Sequence, residues 1–171
     1  ALSEVTIGEG TTTLGDYMFY GLKNLKTIKL PSTLTYLGTH TFEGSGITEI
    51  DLSDMTGMTH MGSSKSACST GSDSYVFADC KDLTTVKLPS SLTKIGAYAF
   101  YGCENLTDID LSRIVQFNDF SFAGTPLTSV TLSSDLDHVG AGVFAGCMQL
   151  ENIAVRVGNT GYSSVSGVLY N

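Results

Sequence analysis

Apolar positions recur along this chain in one short phrase: an aliphatic residue, then two more at three and five positions further on. Leu25/Ile28/Leu30 is one copy. Ile47/Ile50/Leu52, Leu83/Val86/Leu88, Leu106/Ile109/Leu111, Leu127/Val130/Leu132 and Leu150/Ile153/Val155 repeat it, and Leu2/Val5/Ile7 opens the chain with a seventh. The second half of each phrase alternates apolar with polar, the period of a short strand with one buried face. A phenylalanine column runs between the phrases: Phe19, Phe42, Phe77, Phe100, Phe122 and Phe144, spaced 23, 35, 23, 22 and 22 residues apart. Self-similarity at such a period predicts stacked repeats, one strand per coil, with the strands paired in register along one side. Seven strands would make a parallel sheet about 30 Å long. Pro31 and Pro89, directly after two of the phrases, lack the N–H that would extend the ladder.

Two further columns are almost pure glycine. One reads Gly15, Gly38, Gly62, Gly96, Asn118, Gly140; the other, two residues after each phenylalanine, reads Gly21, Gly44, Asp79, Gly102, Gly124, Gly146. Asn and Asp are the exceptions, and they are the residues that best tolerate positive φ, so both columns are expected to be left-handed corners. One repeat is swollen: 36 residues separate Leu52 from Leu88, against 21 to 23 elsewhere. The excess is the serine-rich run 63–74, expected as a loop on the convex side. The solenoid is expected to span residues 1–157. Residues 158–171 break the period and read as a cap or the start of a following segment, with Ser166-Gly167 as a tight turn. A strand as early as Leu2–Ile7, with nothing before it to cover the stack, suggests a piece of something longer.

Composition narrows the partners. The formal charge is −8, which argues against nucleic acid or an anionic membrane, since both call for a basic footprint. No apolar run has the length of a membrane span, so direct membrane insertion is not expected. Cys80, Cys103 and Cys147 share a column with Leu22, Ser45 and Thr125, a packing position that predicts free buried thiols. Cys68 is off-pattern, and a Cys68–Cys80 bridge stays open. No cysteine or histidine spacing suits zinc, and no cofactor is expected. His40, His60 and His138 fall in different coils and read as rim residues. Without neighbours in adjacent coils they cannot converge with a serine and an aspartate, so the chain is not expected to be an enzyme.

The outward strand column reads Thr6, Lys29, Asp51, Lys87, Asp110, Thr131, Ala154, its charges alternating through four successive strands. Neighbouring strands lie about 5 Å apart, so this predicts a self-neutralising charge ladder. With Lys26, Glu49 and Asp108 alongside, the residues Lys29, Asp51, Lys87, Asp110 and Thr131 form the candidate binding surface. The column Tyr17, His40, Tyr75, Tyr98, Phe120 is a second candidate, read foremost as a wall of the convex side.

Leu83 to Cys103 resembles the repeat of the BspA-like leucine-rich-repeat family, L-x-x-I-x-L-P-x-x-L-x-x-I-G-x-x-A-F-x-G-C. Leu83, Val86, Leu88, Pro89, Leu92, Ile95, Gly96, Ala99, Phe100, Gly102 and Cys103 carry the match. The resemblance implies a leucine-rich-repeat solenoid of α/β type, a right-handed coil. About seven short parallel strands would line its concave face, with turns and short helical or 3-10 segments on the convex one. It also implies a bacterial surface or secreted setting with adhesive or protein-binding roles, and it brings no catalytic residue. The expected function is thus a non-catalytic extracellular interaction module, acting as a monomer on a protein or glycan ligand. The alternative is a structural spacer projecting another domain of a larger surface protein.

Overall fold

The computed structural model describes residues 2–62 and 73–170. The serine-rich run therefore lies outside the described residues except for its end. In chain order the strands are β1 (Glu4–Thr6), β2 (Thr13–Leu14), β3 (Thr27–Lys29), β4 (Tyr36–Leu37), β5 (Glu49–Asp51), β6 (Thr85–Lys87) and β7 (Lys94–Ile95). They continue as β8 (Gln116–Phe117), β9 (Ser129–Leu132), β10 (His138–Val139), β11 (Asn152–Val155), β12 (Ser163–Val165) and β13 (Val168–Tyr170). The architecture is a parallel solenoid, the stacked coils that the periodicity predicts and the form that the family resemblance implies. Inward residues of every phrase except the first and last are buried or nearly so, and the phenylalanines stack between them as one continuous core. Phe42, Phe77, Phe100 and Phe122 follow one another at 5.2, 5.3 and 5.1 Å between ring centroids.

The concave sheet departs from the expected seven-stranded ladder. It is three separate parallel pairs, β1–β3, β5–β6 and β9–β11. The phrase at Leu106/Ile109/Leu111 buries its side chains but forms no strand. Alternation dictates which side chains point inward. It does not bring every neighbouring backbone within bonding distance, because the coils are held together elsewhere.

Part of that hold is the short parallel pairing of β2–β4 and β7–β8–β10, and the continuous part is the turn around each phenylalanine. Phe19, Phe42, Phe77, Phe100 and Phe122 each donate their N–H to a carbonyl of the following coil, at 2.8 to 3.0 Å. The residues two before and two after each phenylalanine do the same, so three bonds cross each of five interfaces without interruption, including the one that carries the insertion. The N–H directly after each of these phenylalanines bonds back within its own turn, as Tyr20 does to Tyr17 and Ala78 to Tyr75. Every second donor is thus spent on the next coil, and no run of successive i→i−3 bonds can build. The convex face accordingly shows turns but, among the described residues, neither α- nor 3-10 helix, against the expected short helical segments.

Aiming alternate N–H groups along the axis requires left-handed residues, and only one of the glycine columns supplies them. Gly102 has φ +66° and Asp79 φ +52°, with the rest of their column alike. In the other column only Gly62 is left-handed. At Gly38, Gly96 and Gly140 glycine stands for room: a Cβ on Gly96 would lie 2.7 Å from the Met61 carbonyl oxygen, whereas Gly15 in the first coil has nothing within 4 Å. The second set of left-handed residues is the aromatic column itself, with φ between 47° and 58° at Tyr17, His40, Tyr75, Tyr98 and Phe120.

The cysteines fit the same frame. The thiols of Cys80, Cys103 and Cys147 donate to the carbonyls of Phe42, Phe77 and Phe122 in the preceding coil, at 3.0, 3.1 and 3.2 Å. Cys80 and Cys103 are fully buried and Cys147 half-buried, and all three are free. Cys80 is therefore not bridged; Cys68 lies outside the described residues. Burial pushes the Cys80 thiol up to about 12. At the other end of the stack, Ser166 and Gly167, both at positive φ, turn β12 into β13. This antiparallel hairpin lies against β11, with Ile153 N–H donating to Gly167 O and Val155 N–H to Ser164 Oγ.

Candidate binding surface

The outward column is a ladder of pairs rather than a continuous one. Lys29 Nζ meets Glu4 Oε1 at 3.2 Å, and Lys87 Nζ meets Asp51 Oδ2 at 2.7 Å. Each ion pair joins two strands that are also hydrogen-bonded, β1–β3 and β5–β6. No ion pair among the described residues crosses from β3 to β5, or from Lys87 to Asp110.

Grooves open over both breaks. The larger, about 480 Å3, lies over β3, β5 and β6, with Ile28, Ile50 and Met55 beneath and Lys29, Glu49, Asp51 and Lys87 among its walls. A smaller one of about 330 Å3 lies between Lys87 and Asp110, flanked by Arg113 and Pro89. The structure thus gathers Lys29, Glu49, Asp51 and Lys87 in one groove and brings Asp110 to the next. It does not gather the other candidates. Lys26 pairs with Asp82 at 2.5 Å, away from the groove. Asp108 and Thr131 are exposed but line neither groove.

Two acidic residues of the larger groove, Glu9 and Asp54, were not among the sequence candidates. Both stand two positions past the last aliphatic residue of a phrase, in a column that continues as Ser32, Ser90, Arg113 and Ser134. The repeat makes that column readable. Alternation within the strands does not, because it ends one residue too early.

Asp51 carries the main electrostatic perturbation. Its bond to Lys87, followed by the hydroxyl and N–H of Ser53 at 2.6 and 3.0 Å, holds its carboxyl down at about 2. A depressed carboxyl contributes stability above its unfolded value near 3.8, and loses it as pH falls toward 2. Both partners are more than half exposed, so solvent screens the pair and it adds little to stability. Lys87→Ala is therefore expected to raise the Asp51 pKa measurably, by NMR titration of its side-chain carboxyl, while leaving the urea midpoint nearly unchanged. A midpoint shift comparable to that of a core truncation would contradict this. Asp110 is likewise lowered, chiefly by the side chain and N–H of Ser112 and further by Arg156 and Arg113.

The aromatic column has a different use. Tyr17, His40, Tyr75, Tyr98 and Phe120 stack nearly parallel at 4.5, 4.8, 4.5 and 5.3 Å, with Glu43 bonded to His40. The faces of His40, Tyr75 and Tyr98 are covered by their neighbours, so these three rings show edges, not faces, to solvent. A sugar platform needs open faces; this column walls the coil. Among the described residues no group of three His, Cys, Asp or Glu could hold a metal ion. Nor, among them, is any helix long and apolar enough to cross a membrane.

Fold and surface together define a leucine-rich-repeat solenoid with a mixed-charge concave face. The BspA type leucine-rich repeat, in six copies, matches residues 1–70 and 70–165, and the chain belongs to that family. A search of curated proteins by sequence finds no match. Among solved structures, a leucine-rich-repeat protein from Eubacterium ventriosum is similar over 98% of this chain and 43% of its own, at 22% identity and a TM-score of 0.78. A leucine-rich cell surface protein from Faecalibacterium prausnitzii covers 98% of this chain and 50% of its own, at 20% identity and 0.63. The pneumococcal vaccine antigen PcpA covers 98% and 34%, at 22% identity and 0.57. The chain spans half the length of these proteins or less, and at such identities the likeness is one of fold.

Proposed function

We propose that the chain is a non-catalytic interaction module of a bacterial cell-surface or secreted protein, binding a protein or glycan through its concave face as a monomer. The groove over β3, β5 and β6 carries this reading. It is concave, of a size that holds ligand groups, and combines an apolar floor with convergent charged and hydroxyl groups. The surface setting draws support from the family and from the Faecalibacterium neighbour, itself a cell surface protein. The spread of the histidines over separate coils favours binding over catalysis.

The test is binding of the purified chain to an array of extracellular proteins and glycans, repeated with Glu49→Ala/Lys87→Ala and with Tyr101→Ala on the convex side. Retained ligands should be lost with the first variant and kept with the second. The opposite order would move the binding face to the convex side. An array without any ligand would favour the second reading, a rigid spacer, for which the unbroken turn ladder is the supporting feature.

A further inference from the structure

The larger groove also indicates what kind of ligand it takes. Its two lysines are already committed, Lys29 to Glu4 and Lys87 to Asp51. Glu9, Glu49 and Asp54, on the same walls, have no ion-pair partner among the described residues. The groove's charge is thus unbalanced toward acid, on a chain whose net charge is already −8. The groove also follows the break between β3 and β5, which is bridged only at its start, where Thr48 N–H donates to Lys26 O at 3.3 Å. It runs over nearly buried Ile28 and Ile50 and past the exposed hydroxyl of Thr85. A bare acidic patch would attract any cation. A carboxylate-walled trough with an aliphatic floor favours a cation on an apolar stem, with polar backbone close by.

We infer that the groove between β3 and β5–β6 binds an extended polypeptide segment bearing arginine or lysine side chains. The stems lie on Ile28 and Ile50, and the charged heads reach Glu49, Asp54 and Glu9. Basic side chains bury their methylenes on apolar surface while keeping the head at a polar rim. A guanidinium fork suits paired carboxylate oxygens best, so arginine should bind more tightly than lysine. The acidic field of the whole chain speeds the encounter, and salt weakens it. This rests on the reading of the concave face as a binding face, and it adds the chemistry of the partner.

The probe is a dye-labelled peptide of alternating arginine and threonine, read by fluorescence anisotropy against the intact chain. Its glutamate–threonine counterpart and a sulfated polysaccharide serve as comparators. The basic peptide should bind, lysine in place of arginine should bind more weakly, and the two acidic probes should not bind. Glu49→Gln/Asp54→Asn should weaken the basic peptide by roughly tenfold. Glu104→Gln, which removes a carboxylate paired with Lys81 outside the groove, should leave it unchanged. Equal loss from both variants would reduce the attraction to net charge and overturn the inference, as would preference for either acidic probe. If array ligands bind through the concave face while Glu49→Gln/Asp54→Asn has no effect on them or on the peptide, this inference fails and the broader reading stands. If no ligand of any kind uses that face, both fail.

Discussion

Replacing Phe100 with alanine is expected to lower the free energy of unfolding by about 3–5 kcal/mol, measured by urea denaturation. Phe100 is wholly buried and stacks on Phe77 at 5.3 Å and on Phe122 at 5.1 Å. Truncation leaves a void with a ring on each side, and neither ring can slide into it, because each is fixed by its own backbone bond to the next coil. The loss is therefore transfer energy plus cavity, with little relaxation. Phe19, at one end of the stack with a single ring neighbour in Phe42, should cost less when truncated. Stability in a solenoid is approximately a sum of coil and interface terms, so an interior rung touches two interfaces and an end rung only one. A loss below about 1 kcal/mol at Phe100 would mean that the phenylalanine column is not what holds the coils together.

The fold was legible because six coils repeat the same burial demands. The columns at Ile28, Leu30 and Phe42 could each be checked against their counterparts within a single chain. Conformation was less legible than burial. A glycine column records either positive φ or a close approach, and Gly96 and Gly102 look alike in sequence, though only Gly102 is left-handed. Asn118 made the Gly96 column look left-handed, yet what Gly38, Gly96 and Gly140 share is proximity to the preceding coil. The left-handed tyrosines were hidden for the opposite reason. Bulky residues seldom adopt positive φ, and what accompanies it at Tyr75 and Tyr98 is stacking along a column whose N–H groups must point down the axis. The candidate site was half legible. Alternation exposed Lys29, Asp51 and Lys87, but whether these charges pair along the whole ladder or in twos depends on the splitting of the sheet, which no side-chain pattern records. Glu9 and Asp54 required reading past the strand ends.

Gly46→Ala is the second large effect, about 3 kcal/mol, and it should be local where that of Phe100→Ala is general. One residue separates Ser45 from Ile47, where two separate Leu22 from Leu25 and Cys80 from Leu83. The shortened corner draws Gly46 against the preceding coil, and its N–H donates to Leu22 O at 3.1 Å. A Cβ there would stand 2.0 Å from the Lys23 carbonyl oxygen and 2.8 Å from its carbon. These are backbone atoms with no rotamer to move, so relief must come from parting the first two coils. Gly15→Ala is the matched control: no atom lies within 4 Å of the added methyl and φ is ordinary, so its effect should stay within about 0.5 kcal/mol. Hydrogen exchange separates the local effect from a global one. In Gly46→Ala the amides of Phe19 and Gly21, bonded to Thr41 O and Glu43 O, should lose protection, while those of Phe100 and Gly102, bonded to Ser121 O and Ala123 O, keep it. Uniform loss along the chain would show that the coils unfold as one unit even when a single terminal interface is pried open. Protection retained at Phe19 and Gly21 would show that the corner yields without parting the coils.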